Sequence, residues 1–196
     1  MDARDKNQYG RGHDDGLEPL APLDVAGASS VDALVRAMSR TAFGGRSLGE
    51  AADTYEAMLR DPDCFRVVTL SGAMTIAKQG LMLCEMIERG WVQAIVTTGA
   101  LMTHGLSEGA GMVHFKHRRS MNDETLYDKG YNRVYDTIEL EQNLDDVEQL
   151  LQSCLDGLPS ETVLSSRFIC ERIGQRLSEQ GEHRGILRSA YERRVP

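Results

Sequence analysis

The chain has 196 residues, of which 41% are hydrophobic, and it carries a formal net charge of -8 at pH 7. This length is enough for one domain with a sizeable core, and no apolar run reaches the roughly 20 residues that span a membrane. The acidic balance excludes general nucleic-acid binding, which requires a basic surface, and the polar N-terminus lacks the apolar segment of a secretory signal, so we expect a cytoplasmic protein.

The first third of the chain predicts an arm followed by two helices. Residues 1–28 are polar and contain glycines and prolines, which is typical of a flexible arm or of an arm that docks on a partner. Residues 29–41 begin with two serines that can cap a helix with an apolar stripe. Residues 43–46, Phe-Gly-Gly-Arg, predict a break, after which Ser47 can cap a second helix over 48–60.

The most informative stretch has the pattern strand, loop, helix, strand, loop. Residues 66–70 form a short apolar run, as in a buried strand, and a small-residue loop follows at 71–80. Apolar residues recur at helical spacing over 81–87, and 92–97 form a second apolar strand that runs into the small residues 97–100. Two such strands joined by a helix form a right-handed βαβ unit, which brings both loops to the sheet edge where α/β proteins bind ligands. We expect main-chain N–H groups of both loops to line one crevice there.

The remainder of the chain predicts one more strand and three helices. Residues 107–132 form a helix–loop region rich in His, Lys and Arg, and residues 133–138 have the pattern of a strand. Helices are predicted at 144–155, 161–179 and 185–193. Together these elements predict an α/β fold, with a parallel sheet and helices on both of its faces.

The last six residues, 191–196, have the pattern of a helix end followed by the entry into another strand. A β–α alternation that stops at such a junction leaves one sheet position unfilled. We therefore expect a sheet with an exposed position and a fold that is incomplete at its C-terminal end. A disordered terminus is the alternative explanation.

Four segments carry a resemblance to one family. Residues 69–106, TLSGAMTIAKQGLMLCEMIERGWVQAIVTTGALMTHGL, are similar to the deoxyhypusine synthase family, in particular to its bacterial deoxyhypusine synthase-like branch. Further similar segments lie at 29–51, 114–140 and 185–196. The segment 114–140 contains the Gly-x-Asn-Arg turn that precedes a strand in this family.

The resemblance implies a transferase that uses NAD and has a Rossmann-like α/β fold. It runs from about Leu23 to Pro196, and it assigns 29–196 to the N-terminal part of the family's NAD-binding domain. Members oxidise spermidine, cleave it and pass its aminobutyl group to an amine through an imine on an active-site lysine. The acceptor is a protein lysine or a small amine, and the usual assembly is a homotetramer with active sites between subunits.

For the first loop, the resemblance predicts the position of an NAD-binding loop but not its side-chain contacts. Met74 and Thr75 stand where the eukaryotic enzyme has a Ser-Asn pair in its first NAD-binding loop, and Lys78 stands where it has a serine. The resemblance makes Met74, Thr75 and Lys78 candidate cofactor-binding residues, although it assigns no specific contact to their side chains.

The second loop aligns with a Thr-Thr-Ala-Gly stretch that contacts NAD in the family. Thr98, Gly99 and Ala100 are therefore cofactor candidates, and small side chains there let the backbone approach a phosphate or ribose closely. Thr103 and His104 stand where the eukaryotic enzyme has two glutamates that serve spermidine and NAD. Both are substrate candidates, and His104 is also a cofactor candidate; a structural or solvated histidine is the alternative.

No catalytic residue is assigned. The family's catalytic lysine, two aspartates and a histidine align beyond Pro196, so the resemblance transfers none of them to this sequence. Lys78, Lys116 and Lys129 have the pattern of solvated or phosphate-facing lysines, because imine chemistry needs a lysine of lowered pKa in a closed pocket.

Other polar residues favour ordinary structural roles. Four widely spaced cysteines without a Cys-x-x-Cys or His/Cys pattern predict no metal site, and Cys84 and Cys170 have the contexts of buried thiols. The run 114–119, HFKHRR, predicts a solvated face or subunit contact, or a site for phosphate or an anionic partner. A group of carboxylates predicts a solvated helix start: Glu139, Glu141, Asp145, Asp146 and Glu148.

Three hypotheses for function follow. The first is a fragment or naturally short form of a deoxyhypusine synthase-like transferase, inactive as the isolated chain. The second is a non-catalytic subunit that completes or regulates a longer paralogue in a hetero-oligomer. The third sets the resemblance aside and leaves a small α/β module that binds a dinucleotide or a phosphate.

Overall fold

The computed structural model describes residues 5–181 and 183–196, which form a mixed α/β structure. The chain divides into two compact units, 1–64 and 65–196. The first residues of the predicted arm, 1–4, lie outside the described residues, and the arm boundary near residue 28 stays a prediction. Among the described residues, no helix combines the length and the apolar character needed to cross a membrane.

The first unit contains a single-turn 3₁₀ helix, Lys6–Gln8, and two α-helices. The helix α1 spans Val31–Met38, and the Ser30 hydroxyl accepts a hydrogen bond from the Ala33 N–H at 3.0 Å. Ser30 therefore satisfies one of the N–H groups that a helix start leaves without a partner, as its position predicted.

The break predicted at 43–46 is wrong. The helix α2 spans Phe43–Arg60, and Ser47 lies inside it, where its hydroxyl donates to the Phe43 carbonyl at 3.3 Å. The glycine pair lowers helix propensity without preventing a helix, because propensity is a weak preference that packing overrides. Packing is close here, since Gly49 of α2 lies directly against the backbone of Ser39.

The second unit begins with the predicted βαβ pattern. The strands β1, Val67–Leu70, and β2, Ala94–Thr97, pair in parallel with Val67 opposite Ala94. Two helices connect them: a single turn, α3, Ala73–Ile76, and the longer α4, Gly80–Glu88. The sequence predicted both strands and the longer helix, and the structure confirms them.

Six short elements follow β2. A 3₁₀ helix, Gly99–Met102, leads directly into α5, His104–Gly109. After these come β3, Phe115–Lys116, and α6, Asp123–Asp128. The strands β4, Tyr131–Val134, and β5, Thr137–Leu140, form an antiparallel pair, and β3 pairs antiparallel with the other side of β5.

The single strand predicted at 133–138 is wrong. Its residues belong to the hairpin of β4 and β5, and the turn between them places Tyr135 in the left-handed region at φ +58°. A connection of two residues can join only antiparallel strands, because a parallel pair needs a long crossover. Within the described residues, the predicted single parallel sheet is therefore replaced by a two-stranded parallel sheet and a three-stranded antiparallel sheet.

The C-terminal third is helical, as predicted. The helices α7, α8 and α9 span Glu141–Leu155, Ser166–Gln180 and Ile186–Arg193. The last helix thus ends where the sequence placed its end. Beyond it, the Ile95 N–H of β2 donates to the Pro196 carbonyl at 2.9 Å.

The core of the second unit lies among its helices. Apolar side chains from α4, α5, α7, α8 and α9 form one buried cluster, and the partly buried side chains of Val68, Leu70 and Ile95 bring the parallel sheet against it. Cys84 of α4 is 0% exposed, which confirms the buried thiol predicted there, and Cys170 is partly buried. Burial raises the pKa of the Cys84 and Cys170 thiols, which makes both poor nucleophiles.

A glycine fixes the approach of the two loops that follow β1 and β2. A Cβ atom built on Gly72 would collide with the backbone of Ala100 and Leu101. Only glycine fits at this contact. Gly99 differs, since a Cβ built there meets nothing within 4 Å.

These two glycines should respond differently to substitution. We expect Gly72→Ala to lower the free energy of unfolding by about 1–3 kcal/mol, since backbone atoms must move apart to admit the methyl group. The matched variant Gly99→Ala should change it by less than about 0.5 kcal/mol. Urea denaturation of the two variants measures the difference, and equal stabilities would contradict the close contact.

Candidate functional site

The two predicted cofactor loops lie side by side, and the first is closed on itself. The Gly72 N–H donates to Thr98 Oγ1 at 3.0 Å, which joins the loops directly. The next N–H groups are also used within the loop: Ala73 donates to Ser71 Oγ (3.3 Å) and Met74 to the Ser71 carbonyl (3.0 Å). The expectation that these N–H groups point into a crevice is wrong for the first loop, because the tight turn satisfies its own donors.

The second loop has open space above its backbone. Thr98 and Gly99 are exposed, and the first hydrogen bond of the 3₁₀ helix runs from the Leu101 N–H to the Thr98 carbonyl at 3.1 Å. The N–H groups of Gly99 and Ala100 precede that bond, so the helix itself supplies them no acceptor. Together with the space around Gly99, this leaves room for a ligand to approach the main chain.

Two of the other predicted residues hold their own loops, and a third lies at the surface. Thr75 is 1% exposed, and its hydroxyl donates to the Gly72 carbonyl at 2.6 Å. The Thr103 hydroxyl donates to the Ala100 carbonyl at 3.0 Å. Met74 is 36% exposed, so its side chain reaches the surface beside these loops.

Lys78 and His104 belong to a polar cluster that was not predicted from the sequence. The Lys78 Nζ lies 2.7 Å from His114 Nδ1 and 3.6 Å from Glu108 Oε2, and its side chain is half exposed. The backbone of Lys78 is left-handed, at φ +65°, a region that lysine rarely adopts and that costs free energy.

Glu139 is the centre of this cluster and is 1% exposed. Its Oε1 accepts hydrogen bonds from Ser107 Oγ at 2.9 Å and from His114 Nε2 at 3.1 Å, and its Oε2 contacts His104 Nδ1. The prediction of a solvated carboxylate at Glu139 is therefore wrong, and so is that of a solvated face at His114, whose side chain is 0% exposed. A buried carboxylate requires such partners, because an unpaired charge in the interior is costly.

The cluster is held by elements that come from distant parts of the chain. Glu139 is on β5, His104 and Ser107 are on α5, and His114 directly precedes β3. Lys78 lies in the link between α3 and α4. The sequence contains one sign of a buried polar site here, the acidic residue Glu139 between the apolar strand residues Ile138 and Leu140. It does not show the partners of Glu139, which lie 25 to 35 residues away along the chain.

The proton positions follow from the lysine. A lysine ammonium can only donate, so His114 Nδ1 accepts, and the ring proton lies on Nε2 and is donated to Glu139. Burial of Glu139 alone would raise the pKa of its carboxyl group. The hydrogen bonds from His114 and Ser107 and the positive charge of His104 outweigh burial, so the pKa of Glu139 lies below its ordinary value.

The same residues have the composition of a metal centre. One donor atom each from His104, His114 and Glu139 lies within 4.8 Å of the others, a combination that no local spacing in the sequence indicates. The hydrogen-bond pattern favours a proton network instead. A metal ion would need the lone pair of His114 Nε2, and that nitrogen carries a proton while Lys78 donates to Nδ1.

The remainder of the run 114–119 borders a separate cavity of about 660 Å³. Its floor is apolar, and three basic residues of the run or near it, Lys116, Arg118 and Lys129, stand at the surface around it. His114 faces the buried cluster, whereas Phe115 is half exposed. The run thus divides into one buried residue, His114, and an exposed basic face.

Glu139→Gln should destabilise the protein in a pH-dependent way. We expect the free energy of unfolding at pH 7 to fall by about 2–4 kcal/mol, because the substitution removes the charge that three donors require. A lowered pKa means that ionised Glu139 stabilises the fold at neutral pH and that this contribution is lost as the pH falls below the ordinary value of 4.5.

Urea denaturation between pH 7 and pH 3 measures this effect. The difference between the wild type and Glu139→Gln should shrink as the pH falls. Glu148→Gln, at an exposed carboxylate, is the matched control and should change stability by less than about 0.5 kcal/mol at any pH. A constant difference for Glu139→Gln across the range would contradict an ionised, hydrogen-bonded carboxylate.

Known proteins share both the sequence and the fold. Residues 33–196 match the sequence model of the family described as deoxyhypusine synthase. The chain is 36% identical over 178 residues to "Probable deoxyhypusine synthase 1" of Methanosarcina acetivorans, covering 91% of this chain and 55% of that protein. It is 32% identical over 159 residues to "Probable deoxyhypusine synthase 2" of Archaeoglobus fulgidus, covering 81% of this chain and 52% of that protein.

A solved structure agrees at the level of fold. The crystal structure of a protein assigned as a deoxyhypusine synthase from Entamoeba histolytica matches with a TM-score of 0.61 at 12% identity, covering 90% of this chain and 60% of that one. The chain spans about half the length of the curated relatives it matches. Because the family model covers residues 33–196 and confirms the resemblance carried by the loops and the hairpin, the chain belongs to the deoxyhypusine synthase family.

Proposed function

We propose that this chain contributes the NAD-binding part of a deoxyhypusine synthase-like transferase, which moves an aminobutyl group from spermidine to an amine. The observation that supports it most is the open backbone of the second loop, within the region that the family model matches. NAD, when bound, accepts the hydride released as the amine is oxidised.

The residues proposed to hold the cofactor are Thr98, Gly99 and Ala100, with Met74 and Lys78 beside them. The first three present backbone and small side chains, which a phosphate or ribose can approach closely. Thr75 holds the neighbouring first loop, through the hydrogen bond from its hydroxyl to the Gly72 carbonyl. Binding of the cofactor therefore depends on the shape of the loops more than on charged side chains.

We also propose a small amine, in place of a protein lysine, as the acceptor. Thr103 and His104 stand where the resemblance places two glutamates, and neither brings a carboxylate to the surface. The carboxylate next to them, Glu139, is buried and already accepts three contacts, so it is not free to bind a polyamine cation. In the assembled enzyme, we expect other carboxylates to hold spermidine.

Filling the space above Gly99 should weaken NAD binding without unfolding the protein. We expect Gly99→Val to raise the Kd for NAD at least tenfold, a loss of about 1.4 kcal/mol or more. Isothermal calorimetry measures the Kd, and a thermal melt checks the fold. Gly44→Val, at a second glycine with nothing within 4 Å of its Cβ position, should leave the Kd unchanged. An unchanged Kd in Gly99→Val would show that the cofactor binds elsewhere.

The isolated 196-residue chain should not turn over spermidine. We expect no release of 1,3-diaminopropane when it is incubated with spermidine, NAD and putrescine or a lysine-bearing acceptor protein. The reason is that none of its described surface carboxylates is placed by the resemblance to hold a polyamine beside the cofactor loops. Chromatography of the amines measures the product, and a full-length family member is the positive control. Release by the chain alone would refute the proposal of inactivity.

A further inference from the structure

We propose that the cavity beside the antiparallel sheet binds small organic anions that combine an apolar body with one acidic group, such as a medium-chain carboxylate. Its volume is about 660 Å³, within the range of about 300–1,000 Å³ that is usual for small-molecule sites. The residues of the two cofactor loops are not among those that line it in the described part of the chain. The site therefore does not depend on the proposed binding of NAD.

The alternation of side chains along β5 separates this cavity from the Glu139 cluster. Successive residues of a strand point to opposite faces of a sheet, so Ile138 and Leu140 point away from the side on which Glu139 lies. Both line the cavity. Phe115 of β3 is opposite Ile138 in the sheet and extends this face on one side. Tyr131 of β4 is opposite Leu140 and extends it on the other. One face of the sheet thus holds the buried carboxylate, and the other forms an apolar floor.

A turn after β3 forms one wall of the cavity. The Met121 N–H donates to the Arg118 carbonyl at 2.9 Å, and His117 Nε2 lies 3.3 Å from the Met121 carbonyl. The His117 N–H donates to the Asp136 carbonyl at 2.8 Å, which joins the start of this turn to the β4–β5 hairpin. Hydrogen bonds within the protein therefore hold the wall in place, so a ligand does not have to order it on binding.

The formal charges around the cavity are all positive. Lys116, Arg118 and Lys129 line it, and none of its described lining residues is acidic, although the whole chain has a net charge of -8. Among the described residues, these three side chains form no ion pair. Arg133, on the neighbouring strand β4, differs because it is paired with Asp123 at 2.9 Å. A positive rim without protein carboxylates attracts anions.

The floor and the rim together select the class of ligand. Phe115 is 50% exposed beside the buried Ile138, so an aliphatic chain or a ring that rests on them removes apolar surface from water. An inorganic anion gains nothing from this floor. A cationic amphiphile gains from the floor but is repelled by the rim. Only a molecule with both an apolar body and a negative charge uses the whole cavity.

Fluorescence titration with anilinonaphthalene sulfonate, which has an aromatic body and one sulfonate group, tests this site in the folded protein. We expect saturable binding of this probe and its displacement by octanoate. Octylamine has the same chain length and the opposite charge, so it should displace the probe at least about tenfold less well. Inorganic phosphate should also be at least about tenfold weaker than octanoate, because it has no apolar surface to bury.

Variants assign the probe to the cavity, in samples whose circular dichroism shows a folded protein. Phe115→Asp should raise the Kd of the probe at least about tenfold, because it replaces part of the apolar floor with a negative charge. The double variant Arg118→Gln/Lys129→Gln should raise it about threefold or more, as expected for the loss of two exposed charge pairs. Arg119→Gln, at an exposed neighbour outside the lining, and Val163→Asp, at an apolar side chain that is 88% exposed, are the matched controls. Both should leave the Kd within about twofold of the wild type.

The proposal is overturned by any of four results. These are the absence of saturable binding, equal displacement by octanoate and octylamine, an unchanged Kd in both Phe115→Asp and the double variant, and binding that is lost as the protein concentration rises. The last result would show that a second copy of the chain covers the cavity. Gly99→Val should leave the Kd of the probe unchanged, and a change there would instead place the probe at the cofactor loops. The Kd for NAD should be unchanged in Phe115→Asp, so failure of this proposal and failure of the cofactor proposal are distinguishable.

Discussion

The buried carboxylate of Glu139 is the constraint on which the polar half of the second unit depends. A carboxylate removed from water requires donors from the protein, and here they come from Ser107, His104 and His114. These donors tie the β4–β5 hairpin to α5 and to the segment before β3. Through His114 the constraint extends to Lys78, on the far side of the first loop. One charge thereby fixes the relative positions of four chain segments.

A second constraint, steric rather than electrostatic, sets the geometry of the loops. Gly72 must be glycine because Ala100 and Leu101 occupy the place of a side chain, and Thr98 reaches back to bond the Gly72 N–H. The first loop uses its own donors, whereas the N–H groups of Gly99 and Ala100 precede the first hydrogen bond of the 3₁₀ helix. The two loops are therefore not equivalent: the first is closed by its own hydrogen bonds, and the second has open space beside Gly99.

The sequence predicted the parts of the fold that depend on local pattern. The apolar runs of β1 and β2, the spacing of α4 and the serine cap of α1 are local signals, and the structure has all of them. The sequence could not predict the turn at Tyr135, because no local pattern within a short β-strand segment indicates that a tyrosine adopts a positive φ. Because this turn was not predicted, the two strands of the antiparallel hairpin were predicted as one strand of a parallel sheet.

Only part of the candidate site could be predicted, because the sequence shows local patterns but not contacts between distant residues. Gly99 and Ala100 were named as cofactor candidates because they align with an NAD-contacting loop of the family, and they stay a prediction; the structure shows open space above Gly99. Glu139 and His114 were assigned to solvent because charge predicts exposure unless partners are known. Their partners are 25 to 35 residues away, and only the folded chain brings them together. Lys78 was considered for chemistry, but the sequence contains no sign of the imidazole beside it.

The energetics of the polar cluster around Glu139 differ from those of an ordinary hydrophobic core. A buried ionic network is weak evidence for stability, since apolar side chains of similar size often stabilise a core as well or better, without the cost of desolvation. The hairpin could be held against α5 by such residues. An apolar core could not hold the Lys78 amine against an imidazole whose other nitrogen faces a carboxylate. The arrangement also places Lys78 in a strained backbone conformation, which adds to its cost. The Glu139 network therefore fixes the hairpin, α5 and the Lys78 amine in one specific arrangement, which apolar side chains of similar size would not do.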